Sequence, residues 1–181
     1  LLTGAPLYSL PPQADGGQQV RYYNGAVLAG LDGRIGGQRA KQHLVPFGEF
    51  IPTGFRWFTE LMQIPLGDFN RGAPVQPTLD WAGQRIAPNI CYEDLFGEEL
   101  ARGFVAPALA PTVLVNLSNI AWFGDTVAID QHRQISRLRA LELQRPMLRA
   151  TNTGATLAID HLGQVTHELP RLTRAVLAVE V

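Results

Sequence analysis

The chain has 181 residues, of which 46% are apolar and 17% charged, with a formal net charge of -1. That is enough apolar material to bury one domain's core and too little charge for a disordered chain, while scattered arginines and no basic surplus give nucleic-acid binding no footing. A single cysteine, Cys91, excludes an internal disulfide and a cysteine-rich metal site and leaves the compartment open.

The first residues, Leu1-Leu2-Thr3-Gly4, lack a basic start, a long apolar core and an initiator methionine. They do not read as a signal peptide; the chain reads as the middle of a longer protein, entered at a strand. Ala26 to Ala29 is a strand candidate, and Asp32-Gly33 a turn between strands. Between Pro52 and Pro77 no period holds, although Trp57, Phe58, Leu61 and Met62 are large and apolar. That stretch reads either as an irregular loop folded onto the core or as an apolar flap that meets lipid or a greasy substrate.

Arg85 to Ile90 is the next strand, followed directly by a helix through Glu93 to Leu100 with acidic residues in its first turns, as the helix dipole favours. Phe104 to Leu117 is the longest apolar stretch, but Pro107 and Pro111 interrupt it. It also falls short of the ~20 residues that span a bilayer, so no transmembrane helix is expected here. Val113 to Leu117 reads as a strand. A helix from about Asp130 to Arg145 follows, with Ile135, Leu138 and Leu141 on one side and Pro146 closing it. Met147 to Thr151, Thr156 to Ile159 and Ala175 to Val179 complete the strands, with His161-Leu162-Gly163 turning Ala158-Ile159 into Gln164-Val165. Strands alternating with helices predict an α/β fold.

Two singletons carry the chemistry. Lys41 is the one lysine among fifteen lysines and arginines, and Cys91 is the one thiol. Cys91 sits in Ile86-Ala87-Pro88-Asn89-Ile90-Cys91-Tyr92-Glu93-Asp94, at a strand-to-helix junction. A sharp turn there exposes the side chain, the positive helix end favours thiolate, and the Tyr92 N–H points at an oxyanion formed on an attacked carbonyl. A nucleophile also needs a proton acceptor and a stabiliser of the tetrahedral intermediate. The histidines (His43, His132, His161, His167) stand in contexts that look like core, helix surface and turns, and a papain-like Cys-His pair is the alternative that spacing leaves open. The better set is Lys41 and Glu49, on one loop shaped by proline and glycine. The amine can stabilise an oxyanion, and the carboxylate can take the thiol proton or hold the lysine.

Seven segments then carry a resemblance: Lys41-Gln42-His43-Leu44-Val45-Pro46-Phe47-Gly48-Glu49-Phe50-Ile51-Pro52, Ile90-Cys91-Tyr92-Glu93, Ser118-Asn119-Ile120-Ala121-Trp122-Phe123-Gly124, Asp130-Gln131-His132, Arg139-Ala140-Leu141-Glu142, Arg145-Pro146 and Arg149 to Gly154. In order and spacing, from about Leu2 onward, they resemble the nitrilase (carbon-nitrogen hydrolase) superfamily, and within it the apolipoprotein N-acyltransferases. The resemblance implies a nitrilase-like αββα sandwich and a Glu-Lys-Cys triad. Cys91 would be the nucleophile, Lys41 the oxyanion-stabilising lysine and Glu49 the additional glutamate near the triad. Tyr92 and Glu93 would flank the nucleophile, with Trp122 and the Trp57, Phe58, Leu61, Met62 group lining a substrate pocket or flap.

The implied reaction moves a fatty acyl group from a membrane phospholipid, through a Cys91 thioester, to the α-amino group of a lipoprotein's N-terminal diacylglyceryl-cysteine. It runs on the periplasmic face of the bacterial inner membrane, with no metal or organic cofactor. Two departures stand out. No glutamate precedes Glu49, only Asp15 and Asp32, so residues 1–181 are expected to form the C-terminal part of the catalytic domain. The first strand and helix, the triad glutamate and the membrane helices would then lie upstream. Ile120 also stands where the resemblance expects aspartate. A soluble amidase of the same superfamily and a catalytically incomplete fragment are the alternatives.

Overall fold

The structure, a computed structural model, describes residues 1–12, 19–54 and 69–181. The first sheet is an antiparallel meander: β1 (Leu2–Ser9), β2 (Arg21–Ala29) and β3 (Ile35–Ala40), in the order β1-β2-β3. Leu2 faces Leu28 and Ser9 faces Arg21 in the register of the first pair. The Asp32-Gly33 turn closes between β2 and β3 with Gly33 at φ 76, a backbone region that glycine enters at no steric cost.

The second sheet is six-stranded, in the order β4-β5-β6-β7-β8-β9: β4 (Leu79–Trp81), β5 (Gln84–Ile90), β6 (Val113–Ser118), β7 (Met147–Thr151), β8 (Leu157–Ile159) and β9 (Val165–Glu168). β5, β6 and β7 run parallel, flanked by antiparallel partners. The run Val113-Leu114-Val115 is buried throughout, as parallel strands covered on both faces require. Pro88 is tolerated inside β5 because β4 pairs only with Gln84 to Ile86, leaving the strand one ladder partner at the proline.

A short helix α1 (Gly97–Ala101) follows β5, and α2 (Val127–Leu143) links β6 to β7. α2, β6, β7 and β8 enclose the core of Leu114, Ile129, Ala140, Met147, Leu157 and Ile159. The sheets meet where β2 lies against β5 and β3 against β4. The segments that follow β3 and β5 are joined by Glu93, which accepts from the N–H groups of Gln42 and His43. Among the described residues no helix is long and apolar enough to cross a membrane.

Three expectations need correction. The single helix after Cys91 is a 3-10 turn, Cys91–Leu95, broken at Phe96 (φ -99, ψ 75) before α1 begins. α2 starts three residues before Asp130, and its buried face is Ile129, His132, Ser136 and Ala140, whereas Leu138 and Leu141 are each 45% exposed. The inward stripe carries two polar side chains, so hydrophobic periodicity picks the wrong face. Ala175 to Val179 forms no strand, and Val176 is exposed. An apolar run becomes a strand only where a neighbour supplies the ladder.

Candidate active site

β5 ends at Ile90 in an extended conformation, and Cys91 turns the chain with φ 57. For a residue with a Cβ this left-handed region costs on the order of 1–3 kcal/mol and persists only where surroundings hold it. The thiol is half-buried, and the Tyr92 N–H donates to it. Burial pushes the Cys91 thiol's pKa up. The positive charge of Lys41 and the Tyr92 N–H pull it back, Glu49 and Asp94 push it further, and the net direction is upward. The expected thiolate-favouring helix end is not supplied by this geometry, because the element after Cys91 is a five-residue 3-10 turn and burial outweighs it.

Lys41 is the first residue after β3. Its N–H donates to the Asn24 carbonyl at 2.7 Å, and Gly72 N–H donates to its own carbonyl at 2.8 Å, so its backbone is tied from both sides. Its side chain is 1% exposed, and Nζ lies 2.8 Å from Glu49 Oε2. The loop from Lys41 to Phe50 folds back through the Glu49 N–H to Val45 carbonyl bond at 2.8 Å. Glu49 Oε2 also accepts from Val45 N–H at 2.8 Å, and Oε1 from the Asn24 amide at 2.6 Å. With both oxygens occupied, Glu49 is arranged to hold the lysine rather than to take a proton. Lys41 Nζ also sits 5.3 Å from the centre of the Tyr92 ring.

Glu93 joins the two loops. Its buried carboxylate accepts from Gln42 N–H at 2.6 Å, His43 N–H at 3.1 Å and Ile90 N–H at 2.7 Å. One side chain thereby fixes the lysine loop against the thiol turn. Burial raises the Glu93 pKa against the opposing pull of those three donors. The Tyr92 hydroxyl donates to the Leu44 carbonyl at 2.7 Å, and burial, seconded by the negative charge of Glu49, pushes the phenol up to about 12. His43 stacks on Phe96 with ring centres 3.5 Å apart, and its Nδ1 lies 3.1 Å from Glu99 Oε1.

Beneath the turn lies a polar cluster whose members carry no shared motif in sequence: Asp94, Ser136, Arg149 and Asn116, together with His132. The Arg149 and Asp94 side chains are fully buried, 3.3 Å apart. Arg149 Nη1 donates to Ser136 Oγ at 2.6 Å, and Ser136 Oγ donates to Asp94 Oδ2 at 2.5 Å. Arg149 Nη2 meets His132 Nδ1 at 2.7 Å. A guanidinium can only donate, so Nδ1 is the acceptor and His132 is neutral with its proton on Nε2. That proton faces Asp94 Oδ1 at 2.9 Å and the Cys91 carbonyl at 3.2 Å. His132 is therefore held away from the thiol proton, and a papain-like pair is not formed; His161 and His167 are exposed on the β8–β9 hairpin. The signal in sequence was the Arg149 in the middle of an apolar strand.

Trp122 lies on the turn Ala121–Phe123, 82% exposed, its indole N–H donating to the Asn119 carbonyl at 2.8 Å. Ile120 is buried in the core behind it. Trp57, Phe58, Leu61 and Met62 lie outside the described residues. A cleft of about 280 Å³ is lined by residues including Tyr8, Tyr23, Gln38 and Arg71, and by none of Lys41, Glu49 and Cys91. Among the described residues no three His, Cys, Asp or Glu side chains are grouped to hold a metal ion.

The carbon-nitrogen hydrolase family pattern matches residues 6–181. The chain is 64% identical over 168 residues to the apolipoprotein N-acyltransferase of Verminephrobacter eiseniae, a match covering 91% of this chain and 31% of the relative. It is 61% identical over 141 residues to that of Ralstonia nicotianae, covering 78% and 27%. The chain thus spans about a third of the length of these curated relatives. Among solved structures, Saccharomyces cerevisiae Nit3, a nitrilase-superfamily member, superposes with TM-score 0.63 at 19% identity, covering 94% of this chain and 56% of that one. A carbon-nitrogen hydrolase from Helicobacter pylori superposes with TM-score 0.60 at 16% identity, covering 92% and 57%.

Proposed function

Since this chain belongs to the carbon-nitrogen hydrolase family, with the nitrilase fold, we propose that it is the catalytic part of a membrane-bound apolipoprotein N-acyltransferase acting at the periplasmic face of a bacterial inner membrane. The observation that carries the reading is the buried Lys41–Glu49 ion pair, at 2.8 Å, set beside a thiol on a strained strand-to-helix turn. The names of the 64% and 61% identical relatives support the acyl-transfer reading over hydrolysis.

In this mechanism the Cys91 thiol loses its proton to a base, and the thiolate attacks the ester carbonyl carbon of a phospholipid. The carbonyl π pair moves onto oxygen, where the Lys41 ammonium and the Tyr92 N–H meet the new charge. The intermediate collapses with loss of the glycerol oxygen, which takes the proton from the base. A lysophospholipid leaves, and the acyl group remains as a thioester. The amine of a lipoprotein's N-terminal diacylglyceryl-cysteine then attacks the thioester carbon, and the C–S bond breaks. The amine's proton returns through the base to sulfur. Glu49 holds Lys41 in place throughout. The base would come from a glutamate outside residues 1–181, with the exposed Trp122 and the Trp57, Phe58, Leu61, Met62 group meeting lipid.

To test this, the full-length protein is incubated with phospholipid vesicles and its intact mass is measured. A fatty-acyl adduct that disappears in Cys91→Ala and is discharged by a lipopeptide amine is expected. No adduct, or one that persists in Cys91→Ala, refutes the reading; an adduct discharged by water as fast as by amine replaces it with an amidase.

A further inference from the structure

The backbone carbonyl of Cys91 is held by two side chains from outside its own turn. Asn116, on β6, donates its amide N–H to that carbonyl at 2.8 Å and to Asn89 Oδ1 at 2.6 Å. His132, on α2, presents Nε2–H to it at 3.2 Å, in a tautomer dictated by Arg149. Asn116 Oδ1 accepts from Ser118 Oγ at 2.6 Å, which fixes which end of the amide faces Cys91. Asn89, Asn116, Asp94, Ser136 and Arg149 are all buried, so these bonds are made where water does not compete.

A trans peptide is planar, with its C=O and its N–H pointing in opposite directions. The Cys91 carbonyl and the Tyr92 N–H belong to one peptide plane. Pinning the carbonyl inward, toward β6 and α2, therefore aims the Tyr92 N–H outward, at the sulfur and at the position where an oxyanion forms. Cys91, at φ 57, opens the Cys91–Leu95 3-10 turn, and these two side-chain donors hold its carbonyl in addition to the turn itself.

We propose that Asn116 and His132, the latter fixed by Asp94 and Arg149, are positioning residues that set the Tyr92 N–H as the oxyanion donor by clamping the Cys91 carbonyl. The assignment rests on the acyl-transfer reading for its substrate, but its geometry stands on the thiol alone. Neither residue touches the acyl group. Both act through one peptide plane, and the strained φ of Cys91 is retained because the clamp holds it.

The experiment uses full-length protein carrying Asn116→Leu, His132→Leu or His132→Gln. Two readouts are taken: the single-turnover rate of thioester formation with phospholipid, and the pH midpoint of Cys91 alkylation by iodoacetamide, which needs no substrate. Lys41, Glu49, Asp94 and Arg149, the charged groups bearing on the thiol, stay in place. Removing a single oxyanion donor costs ~10²–10³-fold. Each leucine variant is expected to acylate at least ~10-fold more slowly at unchanged phospholipid half-saturation, part of that loss, and to shift its alkylation midpoint upward. His132→Gln keeps a donor toward the carbonyl and should recover most of the rate. Leucine variants that lose thermal stability yet acylate and alkylate like the parent overturn the proposal, as does a His132→Gln no better than His132→Leu. If no variant or parent forms a thioester while the alkylation midpoint still shifts in the leucine variants alone, the substrate reading fails and the clamp stands.

Discussion

Replacing Glu49 with glutamine removes one charge from a site where the partner cannot reach water. Lys41 is 1% exposed, and Glu49 accepts three hydrogen bonds, from Lys41 Nζ, Val45 N–H and the Asn24 amide. In Glu49→Gln one carboxylate oxygen becomes an NH2 group facing a donor, and the ammonium is left buried without its counter-charge. Breaking a buried pair from one side costs about 3–5 kcal/mol. For a domain of this size that lowers Tm by ~6–20 °C, at ~2–4 °C per kcal/mol. Lys41→Met should cost less, ~1–3 kcal/mol, because the carboxylate keeps two donors. In the double variant no unpaired charge remains, so its loss should fall below the sum of the two by ~0.5–3 kcal/mol. Thermal unfolding followed by tryptophan fluorescence on the parent, both singles and the double measures this cycle. A double variant whose loss equals the sum, or a Glu49→Gln that melts with the parent, refutes the reasoning.

The Cys91 thiol is held above the ordinary thiol value mainly by burial, with Lys41 lowering it. Alkylation by iodoacetamide should therefore rise with pH through a midpoint above that of a free thiol, and Lys41→Met should move the midpoint further up; a downward move contradicts the charge assignment. The linkage has a definite sign. The folded state binds the thiol proton more tightly than the unfolded, so stability falls as pH climbs from the unfolded thiol value through the folded one. The turn glycines separate backbone strain from crowding. Gly163 has φ 74 and an added Cβ would lie 2.8 Å from the Arg137 carbonyl oxygen, whereas Gly33 has φ 76 with open space around it. Gly33→Ala should cost ~1–2 kcal/mol from backbone strain. Gly163→Ala should cost more because the carbonyl cannot step aside, and equal losses in a thermal melt contradict that contact.

Much of the sheet was legible in sequence because its strands are self-declaring. Val113-Leu114-Val115 and Met147 to Thr151 are dense apolar runs bounded by breakers, and β5, β6, β7 and β8 stand where those runs predict them, within a residue or two. β3 and β4 are glycine-bearing or short, and carry no such signal. Hydrophobic periodicity picks the wrong face of α2 because burial there follows an ion network, with His132 and Ser136 turned inward and Leu138 left at the surface. Ala175 to Val179 is an apolar run of strand type that pairs with no strand among the described residues.

The sequence by itself determined the chemistry on offer: a lone thiol at the end of a strand, a lone amine and a carboxylate eight residues apart on one loop, and the motif order that resembles a family. Tertiary structure alone decided how those groups are used. The packing of the Lys41 loop against Asn24 on β2 turned Glu49 into a holder of Lys41, with Asn24, Val45 N–H and the ammonium filling both its oxygens. Glu93, distant from the lysine loop in sequence, became the bracket joining it to the thiol. Whether the thiol's pKa rises or falls depends on burial, and which way the Tyr92 N–H points depends on donors from β6 and α2. Neither quantity is a property of local sequence, because each is set by what the folded chain places across the gap.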